Sequence, residues 1–217
     1  MQTNNESMNN LQLIKLPEPT FENMMSAFQT FKNRKTNKGI SDKKLSLQML
    51  SNLLWAACGV NRKETPLGLP GRTAASASNS QEIDIYTTLE EGIYKYDPFK
   101  NELIPIIEGD FRSLAIGKAQ TNFDPGVHAP VRLIYVADID KLANTSGYKE
   151  PGLADPEIQK SYYFVDTGII AGNVYLFAAT QGLAAWFHNC NKQELTEKLN
   201  LSTYQKVLFG QTVGFPI

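Results

Sequence analysis

Apolar residues recur at Phe21, Met24, Met25, Phe28 and Phe31. That spacing of three and four places them on one face of a helix. Thr20 is positioned to cap it, with Asn23 in the first turn. A second stripe follows at Leu47, Leu50, Leu53, Leu54, Ala57 and Cys58, with Ser41 or Ser46 as cap. Asn61 to Gly71 holds Pro66, Gly68, Pro70 and Gly71 and reads as a loop. The pattern then shortens to strands at Ile83 to Leu89, Ile93 to Tyr96 and Glu102 to Ile107. Phe111 to Ala119 reads as helix. Val131 to Ala137 is almost continuously apolar, as expected of a strand buried on both faces.

Asn144 to Pro156 contains Gly and Pro and reads as a mobile lid. Pro156 suits the first turn of a long helix reaching about Gln181. Ile158, Tyr162, Val165, Ile169, Leu176 and Ala179 are spaced for burial along it. Gly168 and Gly172 lie four apart inside it, and each glycine costs about 1 kcal/mol there. Something must approach that face closely, most simply another helix. Gly182 ends the helix. Leu183 to Phe187 forms a short strand, Gln193 to Leu199 a small helix and Lys206 to Phe215 the last strand. The order lacks the strand–helix alternation of a dinucleotide fold. It is a mixed α/β pattern.

Composition narrows the function. The 217 residues are 42% hydrophobic and 20% charged, which suits one domain with a real core. That domain spans 17–217, and residues 1–16 are expected to form a flexible tail. Met1 to Asn10 is Asn-rich; it reads as a disordered tail or as what remains after a leader is removed. The net charge of −1, without a basic block, argues against nucleic acid. No run is apolar enough for a membrane span, so a cytoplasmic protein is expected. Cys58 and Cys190 form no CxxC, and His128 and His188 lack a second ligand at helical spacing, so no metal site is expected. No GxGxxG, P-loop or GxSxG is present.

Two stretches carry candidate chemistry. In Lys32 to Gly39 four cations interleave with Thr36, Asn33 and Asn37, a donor set for an anion. The alternative is a solvated basic turn at a helix C-terminus, where cations are favoured anyway. In Arg72 to Glu82 nearly every residue is small or carries an amide or hydroxyl. Such a segment lets backbone approach a flat ligand, and Asn79 and Gln81 offer amide donors and acceptors to a heteroaromatic edge. The alternative is an ordinary polar loop.

Together these pieces resemble the nitroreductase-like flavoproteins. Arg34-Lys35-Thr36-Asn37-Lys38 fits the family's Arg-x-Ser/Thr-x-Lys/Arg motif. Ser76 to Gln81 fits its small-residue segment ending Asn-x-Gln before a strand. Gly172 to Leu176, Gln181-Gly182-Leu183 and Val213 to Pro216 fit later signatures. Leu53 to Arg62 followed by Arg72-Thr73-Ala74 is most similar to the branch that includes azoline-oxidising dehydrogenases. The resemblance implies an α+β fold, a mixed, largely antiparallel sheet flanked by helices, in a homodimer binding FMN between its subunits, with NAD(P)H as electron donor and a small organic molecule, such as a nitroaromatic or quinone, as acceptor. It implies that Arg34, Thr36 and Lys38, with Lys35 beside them, hold the phosphate, ribityl chain and pyrimidine edge. Ser76, Ala77, Ser78, Asn79 and Gln81 would reach the flavin from the partner chain, with Arg72 nearby. Leu183, Ala184 and Ala185 would pass near N5. Relatives often carry a basic phosphate ligand near the C-terminus; here none follows Lys206, and Arg72 or Arg34 would substitute. Oxidation of peptide azolines and a non-catalytic flavin-binding dimer are the alternatives.

Overall fold

Seven strands form one sheet in the order β1-β6-β5-β4-β7-β9-β8, with antiparallel pairing throughout. The computed structural model describes residues 10–20, 25–66, 68–121, 128–145 and 153–217. In chain order the elements are β1 (Ile14–Lys15), α1 (Ala27–Asn33), α2 (Leu47–Cys58), β2 (Val60–Arg62), β3 (Gly71–Arg72), β4 (Ile83–Thr88), β5 (Gly92–Asp97) and β6 (Glu102–Glu108). There follow α3 (Lys118–Thr121), β7 (Val131–Asp138), α4 (Ile139–Ala143), α5 (Pro156–Thr180), β8 (Ala184–His188), α6 (Lys192–Lys198) and β9 (Gln205–Gly214). The α+β expectation, a largely antiparallel sheet with flanking helices, holds.

The period of two in β7 sorts the core into two layers. Val131, Leu133, Tyr135 and Ala137 face the layer built with α2 and α5. Ile134 and Val136 face the opposite layer with Leu195 of α6. Both faces of the strand are therefore covered, which its continuous apolar run anticipates. In α2, Leu53 and Leu54 are wholly buried, each worth about 1.5–3 kcal/mol relative to exposure. A polar network crosses this layer: Tyr135 Oη donates to Gln211 Oε1, and Gln211 Nε2 donates to the Ala171 carbonyl. It ties β7 and β9 to α5.

The helix α5 runs 25 residues from Pro156, with Asp155 as cap, accepting from the Glu157 N–H. At 1.5 Å per residue it is about 37 Å long. Its phase differs from the expected one. The buried side chains are Tyr163, Asp166, Thr167, Ile170, Ala171, Val174 and Ala178, while Val165 is 59% exposed. The helix is apolar nearly all round, so spacing alone fits two stripes one position apart. A Cβ added at Gly168 or Gly172 would meet nothing within 4 Å. Among the described residues of this chain, then, no element approaches that face. Gly182 ends the helix with φ +66°, a conformation that costs glycine little.

Four further expectations change. Ile14 and Lys15, assigned to a flexible tail, pair with Leu103 and Glu102 of β6; residues 1–9 lie outside the described residues. The cap of α1 is Ser26, whose Oγ accepts from the Gln29 N–H. Thr20 instead exchanges hydrogen bonds with Asn52 of α2. Residues 21–24 lie outside the described residues, and Phe28 is 88% exposed. The loop Asn61 to Gly71 begins and ends in the β2–β3 ribbon. The helix expected over Phe111 to Ala119 is a 3₁₀ turn (Arg112–Ala115) followed by α3. Gly117 separates them, its N–H committed to the Asn189 carbonyl. The lid expected over Asn144 to Pro156 lies mostly outside the described residues.

Candidate functional site

The basic segment leaves α1 in an extended conformation and is sewn to the end of the sheet. Arg34 caps the helix, its N–H donating to the Thr30 carbonyl, and turns the chain into extended backbone. The Asn37 N–H donates to the Ala185 carbonyl of β8 at 3.0 Å. Ile40 pairs with Pro216, and the Ile217 N–H donates to the Gly39 carbonyl. The C-terminal residues thus flank the segment.

Extended backbone alternates its side chains. Thr36 Oγ1 lies 3.2 Å from Tyr175 Oη of α5, and the Arg34 guanidinium stacks 5.7 Å from the centroid of the same ring. Tyr175 Oη also accepts the Phe187 N–H at 2.8 Å. The intervening positions, Lys35 and Asn37, line a cavity of about 430 Å³ with Lys32, Ala178 and Leu183. Lys38 Nζ lies 4.9 Å from the Trp186 ring centroid. Among the described residues no carboxylate pairs with Arg34 or Lys35. The result is a cationic rim beside an apolar floor, of a size common for cofactor sites. Two cations, Lys32 and Lys35, stand at the cavity where an anion could be held, and Arg34 lies on the alternate side of the segment, over Tyr175. Arg34, Lys35, Thr36, Lys38, Leu183, Ala184 and Ala185 are therefore brought together. Lys32, one of the four cations of the basic run, joins them, as do Tyr175 and Trp186. The hydroxyl of Tyr175 falls inside an apolar helical run, where spacing suggests packing only.

The small-residue segment sits elsewhere on α5. Ser76 precedes a short 3₁₀ turn (Ala77–Asn79), and Ser78, Asn79 and Gln81 have φ of 51°, 54° and 53°. Left-handed backbone at non-glycine residues costs on the order of 1–3 kcal/mol each and persists only where the surroundings enforce it. Here they do. Asn79 Nδ2 donates to the Leu69 carbonyl, and Gln81 Nε2 donates to the Pro70 carbonyl and to Asn79 Oδ1. The Gln81 N–H donates to Ser76 Oγ, and the Ala77 N–H donates to Asp166 Oδ2. The amides of Asn79 and Gln81 thus brace the loop itself. Gln81 Oε1 is a buried acceptor without a partner among the described residues.

Beneath the segment lie two acids that sequence reasoning missed. Glu82 is wholly buried and Asp166 is 4% exposed. Ser80 Oγ donates to Glu82 Oε2 at 2.7 Å, and the Asp166 carboxyl lies against that of Glu82. Burial and the Asp166 charge push the Glu82 carboxyl up to about 8. Burial raises Asp166 as well. An acid at a core register of a helix or beside a buried strand is the available signal. Arg72 lies close by, lining a small cavity with Cys58, Ser76 and Asp166. Burial pushes the Cys58 thiol up to about 11, so it is a neutral packing group.

The two halves attach to α5 at Asp166 and Tyr175, nine residues or about 14 Å apart along the axis. One chain therefore groups Arg34 to Lys38 with Leu183 to Ala185, and Arg72 with Ser76 to Gln81, but keeps the groups apart.

The model of the nitroreductase family matches residues 31–215. A nitroreductase homologue of Methanocaldococcus jannaschii, MJ1384, is 29% identical over 176 residues, covering 76% of this chain and 79% of that protein. The crystal structure of a nitroreductase homologue from Ralstonia eutropha JMP134 is 30% identical. It superposes with a TM-score of 0.77 over 94% of this chain and 90% of its own. A chain of the E. coli microcin synthetase McbBCD complex, bound to truncated pro-MccB17, shares the fold at 17% identity. Its TM-score is 0.61 over 94% of this chain and 78% of that one.

Proposed function

The chain belongs to the nitroreductase family of oxidoreductases, and from that premise we propose that it is an FMN-dependent enzyme of that family, active as a homodimer. The observation that carries the reading is the segment Arg34 to Lys38. It is fastened to β8 through Asn37 and Ala185 and bears Arg34 and Lys35, which no described carboxylate neutralises. A flavin mononucleotide needs cations for its phosphate, hydroxyl and amide partners for its ribityl chain, and an apolar surface for its rings. Lys32, Lys35 and Asn37 on the rim, and Ala178, Ala179 and Leu183 below, meet that list.

In this reading Arg34, Thr36, Lys38 and Lys35 hold the phosphate, ribityl chain and pyrimidine edge. Backbone of Leu183, Ala184 and Ala185 runs beside the reactive edge. Ser76, Ala77, Ser78, Asn79 and Gln81, with Arg72, come from the second copy of the chain. That assignment agrees with the roughly 14 Å that separates the two halves within one chain. The Gly168–Gly172 face of α5, which no described residue of this chain approaches, is where the second copy would pack. The chemistry supplied by bound FMN is two-electron transfer from NAD(P)H to an organic acceptor such as a nitroaromatic or a quinone. The protein's own part is electrostatic and positional. Arg34 or Lys38 near the pyrimidine carbonyl stabilises negative charge there, and the small residues of 76–81 leave room for a flat acceptor.

The test is direct. The purified protein is heated and the released flavin is separated by chromatography; one FMN per chain is expected. Recovery of FAD, or of no flavin after reconstitution, overturns the reading. Anaerobic titration with NADH or NADPH then separates an enzyme from a flavin-binding dimer without activity, since only the enzyme bleaches.

A further inference from the structure

We propose that Asp166 and Glu82 form a carboxyl-to-carboxyl latch that positions the Ser76–Gln81 segment for the flavin. The inference rests on the reading that this segment contacts FMN, and it adds two positioning residues that the nitroreductase-type motifs do not contain.

The latch grips the segment at both ends. Asp166 Oδ2 accepts the Ala77 N–H at 2.9 Å, and Glu82 Oε2 accepts the Ser80 hydroxyl at 2.7 Å. Between these anchors lie Ser78 and Asn79, with Gln81 just beyond, all left-handed. The carboxyls lie against each other with almost no solvent access. Two buried carboxylates in contact repel, so the pair holds together by keeping one proton between them. The surroundings supply little else to neutralise it. Arg72 of β3 and the neutral thiol of Cys58 on α2 are the other ionisable groups lining the cavity beside Asp166. The carboxylate of Asp84, on the strand that follows, is already taken by Lys95 and Lys141. Burial and its neighbour hold the Glu82 carboxyl at about 8. Loss of the shared proton in mild alkali therefore drives Asp166 and Glu82 apart. Asp166 then gives up the Ala77 N–H, and the segment relaxes from its left-handed turn.

The FMN dissociation constant of the purified protein, measured by fluorescence titration, tests the idea. From about pH 7 to about pH 9, affinity of the unaltered protein should fall about tenfold, the equivalent of one pK unit. Glu82→Gln keeps a donor toward Asp166 and cannot ionise, so its affinity should stay flat. Glu82→Ala should bind weakly throughout. If Glu82→Ala does not fold, Asp166→Asn, which also removes the shared proton, must show the flat profile. Parallel pH profiles for unaltered protein and Glu82→Gln overturn the proposal, as does normal binding by Glu82→Ala.

Hydrogen exchange at the Ala77 amide, in protein freed of FMN, reports the latch without the cofactor. If that amide loses protection in alkali while FMN affinity stays constant, the latch exists but the segment does not serve the flavin. The proposal and the assignment of 76–81 then fall together. If the amide does not respond, the latch alone fails and FMN binding is unaffected.

Discussion

The Tyr175 hydroxyl lies 3.2 Å from Thr36 Oγ1 while accepting the Phe187 N–H at 2.8 Å. One phenol thereby joins three elements that converge on the candidate site: the basic segment, α5 and β8. Tyr175→Phe keeps the ring under Arg34 but removes both bonds. Each is worth about 0.5–1.5 kcal/mol, so FMN affinity should fall several-fold with the fold retained. Fluorescence titration checks it, and unchanged affinity would show that Thr36 is held by other means.

Arg34→Ala should weaken FMN binding by about 1.5–3 kcal/mol, the range for a hydrogen bond to a charged group. The effect should shrink in high salt, since Arg34 is exposed in the single chain. A dissociation constant equal to that of the unaltered protein would favour the solvated-turn reading of residues 32–39.

Gly172→Leu tests the second copy. A Cβ added at Gly172 or Gly168 meets none of the described residues within 4 Å. The substitution should therefore leave the monomer folded, even gaining up to about 1 kcal/mol of helix propensity. Across a close helix contact it should instead force the backbones apart. Sedimentation should show folded monomer, with FMN released in parallel. A dimer of normal affinity would place the interface elsewhere.

The pH dependence of stability has a definite sign at Glu82. Its folded carboxyl is raised from 4.5 to about 8, so between those values the folded state holds a proton that the unfolded chain has lost. Stability then falls as pH rises through that window, by at most about 1.4 kcal/mol per pH unit. Denaturant midpoints between about pH 5 and pH 8 should slope downward relative to Glu82→Gln. Equal slopes would show that Glu82 is ionised in the fold.

Local pattern alone decides several features of this chain. The apolar run Val131 to Ala137 demands a strand covered on both faces, and β7 has Leu133, Tyr135 and Ala137 on one side and Ile134 and Val136 on the other. Pro156 and Gly182 bound the long helix because each has a backbone requirement that is purely local. The residue types of Arg34 to Lys38 and Ser76 to Gln81 carry the family resemblance for the same reason: their chemistry is written in consecutive residues.

What lies beyond that reach depends on partners distant in sequence. Spacing misplaces the phase of α5 because the helix surface is apolar nearly all round; only contact with α2 and the sheet selects Ile170 and Val174 over Val165 and Ile169. The amides of Asn79 and Gln81 look like ligand donors in sequence, but carbonyls at Leu69 and Pro70 claim them once the loop turns left-handed. Tyr175 and Thr36 are 139 positions apart, and Asp166 and Ala77 are 89 apart. No local pattern encodes those pairings. Tertiary structure alone brings them together, and it alone keeps the two halves of the site apart along α5, because both are fixed to a rigid helix at separate turns.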